Sequence, residues 1–433
     1  MSGSNWALRG GIVVDARGVR QADVVVAGDS ILDVGDVAGG VPSIDVSGCF
    51  VLPGLVDIQV HFRTPGGESS ETMESGAAAA ALGGVTACVM MPNTDPVIDS
   101  VEMVREVGRR ARGLPCDVVT SAAVTVGRAG ERLTDIEALY AEGVRIFTDD
   151  GTAVANAALM RAALAATVGL PGAVVAQHSE DADLVGAGAL NEGRVAARLG
   201  LIGRPREAEE VIVARDLILA RHTGGRYHVL HLSTAEALGL VRSARAAGVR
   251  VTAEVTPQHL LLTEDDVERL GTSGKMNPPL REMYDVAALL DGVRDGSIDA
   301  IATDHAPHDA VSKSRPLAEA PPGMLGVETA AAVVFSELVA TGALGLQRAA
   351  VLLSSNPARI AGLHGPGGHG GPVVPGASAN LVVIDPNAPW VVTGDELASR
   401  SRNTPWHGRE LSARVRHTVL RGRFTVRDGH LVA

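Results

Sequence analysis

Between Leu52 and about Leu363 the chain repeats one pattern eight times: a short apolar run that can be buried on both faces, then an Ala-rich stretch of helical period. The runs are GLVDIQVHF, VTACVMMPN, DVVTSAAVT, VRIFTDDG, AVVAQHSED, YHVLHLST, VTAEVTPQH and DAIATDHAPH. Such runs suit parallel strands covered by helices, and eight in alternation predict an α/β fold with a (β/α)8 TIM-type barrel. Nearly every run ends in His, Asp, Asn, Gln or Arg. The C-terminal mouth of a barrel is where reactive groups sit, and polar side chains there cost desolvation unless they are paired or bind an ion.

The two ends read differently. Residues 7–50 and 378–433 carry short alternating apolar stretches broken by Gly and Asp, the pattern of strands joined by tight turns. They predict a small β-sandwich assembled from 1–51 and 364–433, flanking a barrel over 52–363. Gly-rich GPGGHGGP at 365–372 lacks the Lys-Ser/Thr that a phosphate loop needs, so it reads as a linker.

Composition narrows the partners. An aromatic content of 3% and a net charge of −12 oppose base-stacking platforms, phosphate backbones and anionic bilayers. A small-molecule substrate is expected, with no nucleic acid and no membrane. No run approaches the length of a bilayer span, and MSGSNWALRGGIVV lacks a basic segment followed by a continuous apolar one. Cys49, Cys88 and Cys116 are odd in number and form no CxxC pair, so they are expected to be buried thiols in a reducing compartment, the cytoplasm.

His61 ends the first run, Asp149 and Asp150 the fourth, His178 the fifth, His228 and His231 the sixth, and Asp304 with His305 the eighth. Imidazoles and carboxylates converging at one mouth are the ligand types preferred by Zn²⁺ and similar ions. A lone strand histidine is more often a satisfied core residue. That reading stays open for His228, which could point to the other face.

PGLVDIQVHFRTPG, MMPNTDPV, IFTDDG, HSED, HVLHLST, EVTPQHL, KMNPPLR, ATDHAPH and PPGMLGVET follow one another along essentially the whole chain. In that order they resemble the signature blocks of the cyclic amidohydrolases and, within them, the dihydroorotases. The FTDDG block resembles the bacterial form in which an aspartate, rather than a carbamylated lysine, bridges two metals. Lys275 and Lys313 are the only lysines and neither lies near the fourth run, which independently excludes a lysine carbamate there. Asp150, which precedes Gly151, is the candidate bridge; Asp149 is the alternative and could equally be a helix or turn cap.

The resemblance implies a first metal held by the HxH pair of the first run with Asp150 and Asp304, and a second held by Asp150, His178 and His231. Position 59 is Gln59 where the family has the first histidine, and an amide oxygen is a weaker donor to Zn²⁺ than imidazole. The implied cofactor is therefore one or two zinc ions, with the Gln59 site weak or empty. Gln258 in EVTPQHL is a second departure and reads as a neutral change. By the same resemblance Asp304 is the catalytic base and acid, Arg63, Asn93 and His308 hold a substrate carboxylate, and Asn277 with Pro322 and Gly323 meets the ring amides. Chemistry alone also suits Arg63 to a carboxylate, the other reading being a salt bridge to Glu68 or another loop acid.

The activity implied is the metal-dependent, reversible interconversion of N-carbamoyl-L-aspartate and (S)-dihydroorotate in pyrimidine biosynthesis. Two alternatives stand beside it: a barrel impaired by Gln59 and kept as a structural partner of aspartate carbamoyltransferase, and a hydantoinase-like hydrolase of another cyclic amide. A homodimer and aspartate carbamoyltransferase are the protein partners the resemblance allows.

Overall fold

The computed structural model describes residues 5–36 and 40–432; residues 1–4, 37–39 and 433, all within the expected terminal sandwich, lie outside the described residues. Each of the eight apolar runs contains a strand: Leu55–Val60, Val85–Met90, Asp117–Thr120, Ile146–Phe147, Val174–Gln177, Tyr227–Val229, Val251–Val255 and Ala300–Ile301. Neighbours pair in parallel. Two single bridges close the ring: Ala122 with Phe147 joins the third strand to the fourth, and Val60 with His305 joins the eighth to the first. The result is a (β/α)8 barrel.

Side chains alternate faces along a strand, and here the alternation sorts two cores. Val56, Ile58, Ala87, Val89, Ile146, Val174, Ala176, Ala300 and Ala302 fill the barrel interior, with Ala358 and Ile360 of the helix Asn356–Ile360 packed against them. Residues of the other parity, such as Cys88, Met90, Val175, Val229, Ala253 and Val255, lie beneath the surrounding helices. Continuing the inward series beyond the strands gives Thr148 and Asp150, then His178. The period of two therefore delivers these polar residues to one mouth.

Helices are fitted to this surface by small residues. In Met73–Leu82, capped by Thr72, a Cβ on Gly76 would stand 2.3 Å from Phe62 Cδ1. Val101–Arg110, capped by Ser100, turns Val104 and Val107 inward.

His228 does not point to the outer face. It shares the parity of Leu230, lies inside the barrel, and bonds Thr252 Oγ1 at 2.8 Å and Glu254 Oε2 at 3.1 Å. Burial pushes His228 down to about 3 and Glu254 up to about 8, so the pair meets as a neutral hydrogen bond.

The chain ends build two sheets around a core of Leu8, Val13, Val24, Val26, Ile31, Val51, Leu381, Val383 and Val419. In the larger sheet Phe50–Pro53 pairs with Ile12–Asp15 on one side and Leu381–Asp385 on the other, then passes through Gly54 into the first barrel strand. A later segment returns to the barrel mouth: Val392, Trp406 and Leu411 pack with Met276, Leu280 and Met324. Within that return, Arg400 N donates to Glu71 Oε1 (3.0 Å) and Ser401 Oγ to Ser70 O (2.7 Å). Cys49, Cys88 and Cys116 are free and buried, with the sulfurs of Cys88 and Cys116 3.9 Å apart. Among the described residues no helix is long and apolar enough to cross a membrane.

Candidate active site

Asp150 stands where three strand ends meet. Its Oδ1 lies 3.5 Å from His178 Nδ1 and 3.6 Å from His231 Nε2, and its Oδ2 lies 3.2 Å from His61 Nε2. His178 Nδ1 and His231 Nε2 are 2.9 Å apart, and His61 Nε2 is 3.0 Å from Asp304 Oδ1. Two triads result, Asp150–His178–His231 and His61–Asp150–Asp304, each with its ligand atoms within 4.8 Å of one another and each using Asp150. Buried imidazole and carboxylate donors so gathered fit a divalent ion, and Asp150 Oδ2 among them has no hydrogen-bond donor within the described residues.

Asp149 faces elsewhere: it accepts from Thr125 N (3.0 Å) and from the Thr125 hydroxyl. His305 also leaves the cluster, with Nε2 3.3 Å from Glu71 Oε2 and Nδ1 accepting from Gly326 N (3.2 Å). Gln59 is fully buried below the triads. Its Nε2 donates to Asp150 Oδ1 (3.2 Å), while its Oε1 has no partner among the described residues, so the amide turns a donor, not a lone pair, toward the shared carboxylate. Gln258 is buried with Nε2 3.4 Å from Thr303 O.

One cavity of about 160 Å³ opens on the triads, lined by His61, Arg63, Asn93, Asp150, Gly151, His178, His231, Asn277, Asp304, Ala306, His308, Pro322 and Gly323. Every expected site residue except Gln59 therefore borders the same space. Asn93 Oδ1 is 2.9 Å from His61 Nδ1, which directs His61 Nε2 at the carboxylates. Arg63 is half-buried and donates Nε to Pro307 O (3.2 Å); no carboxylate lies within ion-pairing distance of it among the described residues. Glu68 instead accepts from Gly66 N and lies 3.9 Å from Arg110. Arg63, His231 and Asp304 have φ of 53°, 31° and 47°, a left-handed backbone that non-glycine residues rarely adopt and that clusters at functional sites.

Three further residues act on the site and carried no assigned role in the sequence. Glu180, two residues after His178, lies 3.5 Å from His178 Nε2 and accepts from Asn277 Nδ2 (2.9 Å) and Arg204 Nη1 (3.1 Å). A carboxylate on the far nitrogen fixes which nitrogen a ligating histidine presents. Arg204 also donates to Asn277 Oδ1. Asp57 accepts from Thr303 N (3.1 Å), Thr303 Oγ1 (2.6 Å) and Gln59 N (3.2 Å), tying the first strand to the eighth just below Asp304; burial pushes it up to about 6. Its position in the HxH-type strand, on the Gln59 side, was the available signal.

Burial opposes a charge on His61, yet bonds to Asp150 and Asp304 hold it up at about 9. Burial likewise opposes the charge of His178, and Asp150 with Glu180 holds it up at about 10. Asp150 is disfavoured as an anion by burial but lies well below the usual carboxylate range because His178, His231 and His61 surround it. The cluster thus holds positive charge at its centre, as protons or as a cation.

The family described as Dihydro-orotase-like matches residues 48–237. The chain is similar to the dihydroorotase of Mycobacterium leprae, 47% identical over 95% of this chain and 97% of that one, and to the dihydroorotase of Streptomyces coelicolor, 45% identical over 99% and 100%. Among solved structures it is similar to the L-hydantoinase (dihydropyrimidinase) of Arthrobacter aurescens, with a TM-score of 0.89 at 23% identity over 100% of this chain and 98% of that one, a likeness of fold.

Metal uptake should be coupled to protons. A histidine whose pKa is raised in the folded state stabilises the protein below its unfolded value near 6.5 and loses that contribution as pH climbs through 9 to 10, here for His61 and His178. A cation must displace those protons. Titrating the metal-free protein with Zn²⁺ should therefore release protons, and affinity should tighten from about pH 6 to pH 9. Calorimetry in two buffers of different ionisation enthalpy checks it; uptake without proton release would place the ion outside these triads.

Proposed function

The chain belongs to the dihydroorotase family, and from that membership we propose that the barrel mouth itself interconverts (S)-dihydroorotate and N-carbamoyl-L-aspartate, a step of pyrimidine biosynthesis. The observation that carries the substrate assignment is Arg63, a guanidinium beside the cavity with no carboxylate of its own. An anionic ring substituent completes it; an uncharged cyclic amide does not.

His178, His231 and Asp150 would hold one divalent ion, for which Zn²⁺ suits the donor set, and His61, Asp150 and Asp304 a weaker second, because Gln59 stands where the family pattern has a second imidazole for that triad. A bound cation brings the pKa of water to roughly 7 and polarises the amide carbonyl. Asp304 accepts the proton of the attacking water as oxygen bonds to the carbonyl carbon. It then delivers that proton to the ring nitrogen as the C–N bond breaks. Ring closure runs the same transfers backwards. Arg63, Asn93 and His308 would surround the ring carboxylate, while Asn277 and the Pro322–Gly323 backbone meet the ring amides.

Residues 52–363 form the catalytic unit in this reading, and 1–51 with 364–433 a composite sandwich. The three free buried thiols favour the cytoplasm. A second copy of the chain and aspartate carbamoyltransferase are the proposed protein partners.

Asp304→Asn should lower kcat by about 10²–10⁴-fold or more with little change in melting temperature, since it removes both the proton acceptor and a ligand. Retention of most activity would remove Asp304 from the mechanism. No turnover by the wild type with any divalent ion, alone or with aspartate carbamoyltransferase, would instead favour a structural partner role.

Metal analysis should find about one tightly held ion per chain, and Gln59→His should raise this toward about two by restoring an imidazole. Two equally held ions in the wild type would show that Gln59 ligates fully.

Arg63→Met should weaken dihydroorotate binding by a charge-assisted contact, about one to two decades, and leave the poor turnover of dihydrouracil little changed. The ratio of kcat/KM for the two substrates measures this. An unchanged ratio would mean that the carboxylate is read elsewhere or that another cyclic amide is the substrate.

A further inference from the structure

Of 38 lysines and arginines only Lys275 and Lys313 are lysines, and both are buried against one segment, residues 315–323. Lys313 Nζ donates to Pro321 O (3.1 Å) and Gly323 O (3.0 Å), and Lys275 Nζ to Leu317 O (2.7 Å) and Ala318 O (3.0 Å). Neither has a carboxylate partner among the described residues. An ammonium is a compact charge whose three donors can turn onto converging carbonyls, whereas a guanidinium fork would bury donors it could not satisfy. That is a physical reason for an arginine-rich chain to keep lysine here. Burial, with Lys275 nearby, lowers Lys313 to about 7.

The segment touches the cavity at Gly323. Its φ is +149°, and a Cβ there would stand 2.7 Å from Ala306 O and 2.8 Å from His308 Cδ2. The Gly323 carbonyl accepts from Lys313 Nζ and also from Asn403 Nδ2 (3.0 Å), and its N–H donates to Lys275 O (2.8 Å). Asn403 lies on the returning C-terminal segment. Its Nδ2 reaches Ala306 O (3.1 Å) and its Oδ1 accepts from His308 N (3.3 Å). The neighbouring Pro322 O is 2.8 Å from His308 Nε2, which is 3.5 Å from Arg63 Nη2. A continuous set of bonds thus runs from two buried side chains, neither of which lines the cavity, to the residues facing the carboxylate position.

We propose that Lys313 and Asn403 are positioning residues for substrate binding, which by fixing the Gly323 carbonyl seat Pro322, Gly323 and His308 opposite Arg63. The clasp bonds Ala306 and His308, downstream of Asp304, whose carboxylate is held by His61, so loosening it acts on the substrate-facing side and weakens binding of substrate and transition state alike. KM then rises while kcat is largely kept.

The proposal rests on the cavity being the dihydroorotate site, and the test separates the two. KM, kcat and metal content are measured on the full-length metal-loaded enzyme for Lys313→Met, Lys313→Gln, Asn403→Ala and Arg63→Met. Lys313→Met and Asn403→Ala should each raise KM for dihydroorotate about tenfold with kcat within about twofold, and Lys313→Gln, which keeps a donor, should recover most of the loss. If Lys313→Met does not fold, Asn403→Ala decides, because it loosens the same Gly323 carbonyl while leaving Lys313 and its bonds in place. A raised KM in Arg63→Met beside unchanged KM in both clasp variants, or a loss confined to kcat, overturns the clasp alone. No change of KM in any variant, Arg63→Met included, overturns the reading of the cavity and the clasp with it.

Discussion

A buried carboxylate is tolerated only among groups that compensate it, and Asp150 is compensated by three imidazoles on three different strands. An unpaired ion in a protein interior costs several kcal/mol, so Asp150 and its histidines stand or fall together. Their convergence needs the barrel to be closed. Closure is local and thin: the single bridges Ala122–Phe147 and Val60–His305, with Asp57 tying Thr303 to the first strand. The left-handed backbone at His231 and Asp304 persists because the surroundings over-determine it, and it turns each side chain off its strand end toward the shared carboxylate.

The mouth has two halves of different construction. The half that would hold the metal sits at strand ends, on the packed barrel. The half that would meet the substrate, Arg63, His308, Pro322 and Gly323, sits on loops and has no such scaffold. It is instead pinned by hydrogen bonds to backbone carbonyls, and one of the pinning groups, Asn403, comes from the chain end that also builds the terminal sheets. Chemistry and recognition can therefore respond separately to substitution.

Gln59 couples these levels. A register irregularity between Asp57 and Val60 lets its side chain turn inward, where it donates to Asp150 Oδ1 and leaves Oε1 without a partner among the described residues, so it satisfies the carboxylate in the way a proton would rather than in the way a base would. Its donor meets the oxygen that faces His178 and His231, while the His61–Asp150–Asp304 triad is left with a single imidazole.

Much of this architecture was legible locally. Apolar runs at barrel spacing, period-two alternation, polar strand ends and the absence of lysine near the fourth run are properties of short stretches, and short stretches dictate which face a side chain takes. What lies opposite that side chain is not local. Asp149 and Asp150 are adjacent and chemically alike, and only the loop that brings Thr125 to Asp149 leaves Asp150 for the histidines. His305 reads as a mouth residue yet goes to Glu71, and His228, for which a satisfied core role stays open, is satisfied by Thr252 and Glu254 inside the barrel. Arg204 and Asn403 acquire their roles from partners many residues away, Asn277 for one and Ala306 with Gly323 for the other. The barrel and the ligand types follow from periodicity and side-chain chemistry, which short stretches carry; the pairings arise only on folding, because hydrogen-bond partners depend on strand register and loop paths that no local pattern encodes.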